Sequence, residues 1–298
     1  MAALLVQPAA AGWPPVPGAP RLTAAACELL RAIEVLDEHG ARRLIHVPAE
    51  RPLTVFVDER ELVTLMTLGA SPELLVLGHL FNQRLISAAA QVAAIAVDWG
   101  EGRACVQMRT PLPALEARLA RGAATAGCGQ DSTAGSLLRQ AESVRLPAAG
   151  AARIRQSTLQ RLLEAVRRPA GIHRSAGSVH NCALFRGADL LVSVEDVGRH
   201  NALDTIAGWM LMHGVVGEDK VLFTTARLTA EMIAKMARCA IPIGVSRNGI
   251  SAMAYELATR LGMTLFGRAA NRHFLCYTGF ERFDAEPEAH SSTGAHAD

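Results

Sequence analysis

The sequence is short of lysine, of aromatic carbon and of net charge, and each shortage excludes something. Lys220 and Lys235 are the only lysines in 298 residues, and neither lies in a G-x-x-x-x-G-K-[ST] stretch, so a P-loop nucleotidase is excluded. Basic and acidic residues number 30 and 28, for a formal charge of +2. That balance lacks the concentrated basic face that phosphate-backbone binding requires. Aromatics are only 4% of the chain, too few for base-stacking platforms, so no nucleic-acid partner is expected. The six cysteines form no C-x-x-C and no paired Cys/His spacing, and no zinc is expected. Sparse cysteines in a long chain read as reduced thiols of a cytoplasmic protein, not as a disulfide scaffold. The uncharged apolar-leaning run Leu85–Val97 contains Ser87 and Gln91 and is too short to span a bilayer, so no membrane association is expected. The first twenty residues carry five prolines and no basic n-region, which reads as a flexible extension and not a signal peptide.

Half of the residues are apolar, enough for a sizeable core. At ~100–200 residues per domain the length suits one large domain or two modest ones. Residues 1–21 read as the extension and residues 22–117 as an α+β lobe. In that lobe Leu22–Leu30 is predicted as a short helix. Strands follow over 33–37, 42–47 and 52–68, the last folded at Asp58-Glu59-Arg60. Ser71-Pro72-Glu73 opens a helix to about Ile86, and two strands flank Asp98–Gly102. Residues 118–150 lose all periodicity and read as a disordered or functional loop. Residues 151–284 start with a helix capped by Ser157. Strands then alternate with helices of 10–12 residues, which predicts βαβ units and a mostly parallel sheet ending in the strand Thr264–Gly267. Ligands on such sheets sit at the carboxyl ends of strands. Residues 285–298 read as a disordered tail.

Several strand-end loops carry chemistry. Glu195, Asp196, Arg199, His200, Asn201 and Asp204 fall within ten residues where one strand ends and a helix begins. That is more than a helix cap requires, and it suits a polar ligand and a proton-transfer group. Cys128, between Gly127 and Gly129, has no apolar neighbours to pack with. The other five cysteines (Cys27, Cys105, Cys182, Cys239, Cys276) read as inert core. A loop thiol becomes a thiolate beside cations, for which Arg199, His200 and Arg227 are candidates. Small residues before His180 suit a backbone anion nest. Arg268, Ala269, Ala270, Asn271, Arg272 and His273 follow the predicted last strand and suit a diphosphate or carboxylate, although an exposed charged turn reads equally well.

Together these blocks resemble the formate dehydrogenase accessory sulfurtransferase (FdhD) family. The matching residues are Thr125-Ala-Gly-Cys128-Gly129, Gly177-Ser-Val-His180, the unbroken Glu195–Ala202 octapeptide, Arg227–Met232, Ile241-Pro242, Ser246-Arg247 and Tyr277–Arg282. The match runs from about Val47 to Phe283. The resemblance implies a cytidine-deaminase-like mixed α/β sheet with flanking helices plus a smaller N-terminal α+β lobe, and a homodimer. It implies a sulfur carrier needed for formate dehydrogenase. Sulfur from a cysteine desulfurase would pass through a persulfide on Cys128 to the molybdenum bis(molybdopterin guanine dinucleotide) cofactor. That client would be held by Arg268–His273 with His180, Glu195, Asp196, Arg199, His200, Asn201 and Arg227, a site that a GDP-like nucleotide can also occupy.

The chain departs from the family pattern at three places. Asp131 replaces a frequent second cysteine, Thr205 a lysine, and Thr224-Thr-Ala-Arg227 lacks a Ser-Gly before its arginine. A nearby Asp131 carboxylate would raise the Cys128 pKa. These differences suit a divergent paralogue and keep a second reading open, a cofactor-binding chaperone that has lost persulfide transfer. A third reading is a thiol hydrolase with Cys128 as nucleophile, His200 as base and Asp196 as orienter. A zinc deaminase is excluded because H-x-E…P-C-x-x-C is absent.

Overall fold

The computed structural model describes residues 13–110, 124–125, 144–167 and 171–286. It is a mixed α/β protein with two six-stranded sheets. Strand β1 (Arg21–Leu22) is followed by a separate hairpin of β2 (Leu30–Leu36) and β3 (Arg42–Pro48). Next come β4 (Arg51–Val57), β5 (Arg60–Thr67), β6 (Val92–Asp98), β7 (Arg103–Met108) and β8 (Ala124–Thr125). The first sheet has the order β1-β6-β7-β4-β5-β8. Its inward face alternates along each strand, as with Leu53, Val55 and Val57 on β4, and closes on helix α1 (Pro72–Asn82).

A short parallel pair joins β9 (Ile154–Arg155) to β16 (Phe283–Asp284). The second sheet holds β10 (His180–Arg186), β11 (Asp189–Asp196), β12 (Lys220–Thr224), β13 (Ile243–Ser246), β14 (Thr264–Ala270) and β15 (His273–Thr278). Its order is β11-β10-β12-β13-β14-β15. Helices α2 (Gln156–Ala165), the single turn α3 (Ile172–Ser175), α4 (Arg199–His213), α5 (Ala230–Arg238) and α6 (Ala252–Leu261) complete the described elements. Helices α4, α5 and α6 bury one face of this sheet, and α2 covers the other.

Several expectations are corrected. The sheet is parallel only across β12, β13 and β14, where α5 and α6 supply the crossovers. Its outer strands are antiparallel because tight turns join them. Residues 23–29 form no helix. Glu73 lies in the first turn of α1 as expected and also ties residues 23–25 to it, accepting hydrogen bonds from Thr23 Oγ1 (2.6 Å) and Ala25 N (2.7 Å). Ser157 lies inside α2 and is not its cap. Residues 13–20 do not hang free, for Trp13 stacks edge-on against Trp209 at 6.0 Å and Val16 N donates to Met212 O. Cys105 is exposed, because strand alternation on β7 turns it outward between buried Ala104 and Val106. Cys182 and Cys239 are buried as expected, whereas Cys27 and Cys276 are half-buried.

The lobes meet where α1 crosses α4 with glycine against backbone. A Cβ on Gly78 would lie 1.7 Å from Asp204 O, and one on Gly208 would lie 1.9 Å from Leu74 O. Alanine is the better helix former by about 1 kcal/mol, but here it has no room. Gly78→Ala is therefore expected to destabilise the protein by about 3 kcal/mol, measurable by urea denaturation.

Candidate functional site

The parallel strands end together, and the loops beyond them surround a cavity of about 540 Å³. Its floor is the α2 face of the sheet: Ala183 on β10, Phe223 on β12 and Ala269 on β14. Leu163, Val166 and Arg167 from the end of α2 form one wall, and Asn181, Ser193, Glu195, Thr225, Arg247 and Asn271 form the rim. Asn181 Nδ2 donates to Ser193 Oγ at 2.8 Å, and Asn181 N donates to Thr225 Oγ1 at 2.9 Å, which fixes the hydroxyls at the rim. Apolar floor, neutral amides and two guanidinium groups make a site for a flat ring with an anionic extension.

The Glu195–Asn201 motif divides by strand alternation. Glu195 and Asp196 are neighbours, so their side chains leave opposite faces of the sheet. Glu195 goes to the cavity side. Its carboxylate accepts from Ile172 N (2.7 Å) and His173 N (3.2 Å), holding α3 in place. This fixes His173, which also lines the cavity and donates its Nδ1 proton to Val179 O at 2.8 Å. Gly171 permits that approach, since a Cβ there would sit 2.4 Å from Glu195 Oε1.

Asp196 goes the other way, to the α4 face, and is buried. It accepts from Thr67 Oγ1, Leu68 N (3.1 Å), Gly198 N (2.8 Å) and Asn201 Nδ2 (3.0 Å). Burial raises its pKa above the ordinary carboxylate value, and the four donors oppose that rise. Asn201 Nδ2 also donates to Met66 O at 2.7 Å. Both side chains thus bind protein backbone and do not reach the cavity.

On the same side, burial lowers the His180 pKa, and the nearby Arg199, His173 and Arg227 push it the same way. His200 is driven down to about 3 by burial, then by Lys235 and Arg199, with Asp204 opposing. It is therefore neutral at pH 7 and too weak a base to deprotonate a thiol. Its Nε2 lies 3.3 Å from Glu231 Oε2, and neither ring nitrogen hydrogen-bonds to the protein. No bond joins His200 to Asp196, so the Cys-His-Asp hydrolase geometry is missing from the described residues.

The Arg268–His273 stretch is also redrawn. It does not follow the last strand: β14 runs through Ala270, and β15 begins at His273. Simple alternation from Phe266 would turn Arg268 into the cavity. A bulge between Gly267 and Ala270, with Arg268 at φ +52°, turns it to solvent and Ala269 inward. Ala269, Ala270 and Asn271 line the cavity, while Arg268, Arg272 and His273 are exposed away from it. Arg227 is exposed just beyond β12. Cys128 lies outside the described residues. Among those residues no group of three His, Cys, Asp or Glu side chains is placed to hold a metal ion. No described helix is long and apolar enough to cross a membrane.

Ser193, at the head of the polar cluster, and Thr225, beyond β12, line the cavity, whereas Arg167, His173, Asn181 and Arg247 were not marked by the sequence as cavity residues. A period-two count back from Glu195 finds Ser193, and pairing β10 with β11 finds Asn181 opposite Glu195. Nothing local marks Arg167, which the fold alone brings to the strand ends.

Comparison with known proteins follows the same outline. Residues 48–284 match the model of the FdhD/NarQ family. The sulfur carrier protein FdhD of Halalkalibacterium halodurans is 30% identical over 253 residues, covering 85% of this chain and 93% of that protein. Its counterpart in Listeria monocytogenes is 28% identical over 236 residues, covering 79% and 90%. A crystal structure described as a formate dehydrogenase accessory protein from Desulfotalea psychrophila superposes with a TM-score of 0.68 at 25% identity. It covers 85% of this chain and 98% of that one.

Proposed function

This chain belongs to the FdhD/NarQ family, and on that premise we propose that it is a sulfur carrier serving formate dehydrogenase. Sulfur comes from a cysteine desulfurase, rests as a persulfide on Cys128, and goes to the molybdenum bis(molybdopterin guanine dinucleotide) cofactor, which is the substrate of this protein and not its resident group. The carrier is a cytoplasmic homodimer. In the loading step the Cys128 thiolate attacks the outer sulfur of the donor persulfide. A new S–S bond forms on Cys128 as the donor's S–S bond breaks and its cysteine leaves as a thiolate. A thiol flanked by glycines in the sequence suits a donor's own reaching segment.

The observation that carries the reading is the strand-end cavity. Its floor is apolar, Asn181 and Asn271 offer amides to a purine edge, and Arg167 and Arg247 offer charge to a diphosphate. Arg199 and Arg227, beside His180, form a second cationic group past the strand ends, suited to further phosphate or to a thiolate. GDP titration tests the cavity. Wild-type protein is expected to bind GDP, and Arg247→Ala to weaken binding by roughly tenfold with an unchanged melting temperature. GDP affinity indifferent to Arg247 would move the nucleotide out of this cavity.

The second reading, a cofactor chaperone without persulfide chemistry, is favoured by Asp131 standing where a second cysteine is frequent. It separates cleanly: GDP binding without sulfur uptake on incubation with a cysteine desulfurase and cysteine is its signature.

A further inference from the structure

Strand β8 is only Ala124–Thr125, and it pairs in parallel with Val63–Thr64 of β5. Three residues further along the chain stands Cys128. Covalent geometry alone keeps its Cα within about 11 Å of that of Thr125. The strand that carries β8 is fastened at its far end by three consecutive residues. The Met66 carbonyl accepts from Asn201, the Thr67 hydroxyl donates to Asp196, and Leu68 N donates to the same carboxylate oxygen. Thr67 is 1% exposed and Asp196 4%, so water does not compete for these bonds. Asp196 is the neighbour of Glu195, which lines the cavity and holds α3 from the opposite face of β11. One dipeptide thus grips the edge of the first sheet with one side chain and a cavity wall with the other.

We propose that Asp196 and Asn201 are positioning residues for sulfur transfer. By clamping Met66–Leu68 they fix β5, and with it β8, the described strand that precedes Cys128 in the chain, relative to the cavity where the cofactor is held. The inference rests on the carrier reading of Cys128 given above. It reassigns two residues of the octapeptide from ligand contact to alignment of the sulfur-bearing segment with its acceptor. Binding of the acceptor alone does not need the clamp, and neither does loading from an external donor. Delivery between the two does, since a small misplacement of reacting groups costs far more rate than affinity.

The experiment compares Thr67→Val, which keeps the shape of the side chain and removes one donor to Asp196, with Thr67→Ser, which keeps the hydroxyl. Asn201→Ala, which frees the Met66 carbonyl, is a second and independent lesion. Four quantities are read on the full chain: melting temperature, sulfur uptake by intact mass, GDP affinity, and activation of formate dehydrogenase by the sulfur-loaded protein. Thr67→Val and Asn201→Ala are expected to fold, load and bind GDP as wild type does, yet to activate formate dehydrogenase on the order of tenfold or more slowly. Thr67→Ser is expected to recover the wild-type rate. Wild-type activation by Thr67→Val and Asn201→Ala, or a loss that Thr67→Ser shares in full, overturns the positioning role. Loss of loading or of GDP affinity in step with activation also overturns it, since the clamp would then be structural. A wild-type protein that takes up no sulfur overturns the carrier reading instead.

Discussion

Cys128→Ala is expected to abolish sulfur uptake and the activation of formate dehydrogenase, while GDP affinity and melting temperature stay at wild-type values. The loss is complete because no other described thiol can replace it. Burial pushes Cys182 and Cys239 up to about 12, so neither forms a thiolate at neutral pH. Burial likewise lifts Cys276 to about 11 and raises Cys27. Cys105 is the one exposed thiol among the described residues, but it projects from the outer face of β7, on the first sheet and not among the cavity loops. Cys105→Ala is accordingly the control, with uptake and activation unchanged. Radiolabelled cysteine supplied through a cysteine desulfurase measures both variants, with label retained on the protein as the readout.

A large stability effect is expected from Lys235→Met. Asp204 is 1% exposed at the α1–α4 crossing and Lys235 8% exposed on α5. Lys235 Nζ donates to both Asp204 oxygens at 2.8 Å, Asn82 Nδ2 donates at 2.7 Å, and His79 Nδ1 lies 3.5 Å away. Burial alone would raise the Asp204 pKa, but Lys235 and His79 outweigh it and hold the carboxyl well below the usual range. Removing the ammonium leaves the buried carboxylate with only Asn82 and His79 beside it, at a cost of about 3 kcal/mol. The sign with pH follows. In wild type a depressed folded pKa contributes stability that is present above the unfolded value of about 3.9 and lost as pH falls through the folded pKa. In Lys235→Met the folded pKa is raised, so the variant gains stability as pH falls and Asp204 takes a proton. The difference between the two proteins is thus largest near pH 7 and shrinks below about pH 4. Guanidinium denaturation at the two pH values reads it directly.

The elements were legible wherever local pattern decides them. Lys220–Thr224 is a strand end to end because four consecutive apolar or β-branched positions, Val221 to Thr224, are all buried, and Ser251 caps α6 through a hydrogen bond from Ala254 N. The hairpin across Arg186-Gly187 was legible and is present, whereas the antiparallel return at Asn271 was not, since helix–strand alternation does not announce it. The octapeptide was correctly marked as a dense polar cluster, yet its composition could not say which side chains face the cavity. Alternation sends Glu195 to one side and Asp196 to the other, and only the tertiary contact with Thr67 shows what Asp196 holds. At Arg268 a bulge overrode alternation altogether, a backbone event without a sequence marker such as glycine at the turned residue. His200 looked like a switch near neutral pH, and burial beside Lys235 removed that property.

The most direct test is the mass of the intact protein after incubation with a cysteine desulfurase and cysteine, followed by peptide mapping. A gain of one sulfur atom, reversed by a thiol reductant and located on the peptide that contains Cys128, is the expected result. No mass gain, or a gain that maps to another cysteine and persists in Cys128→Ala, contradicts the carrier reading and leaves a cofactor-binding protein.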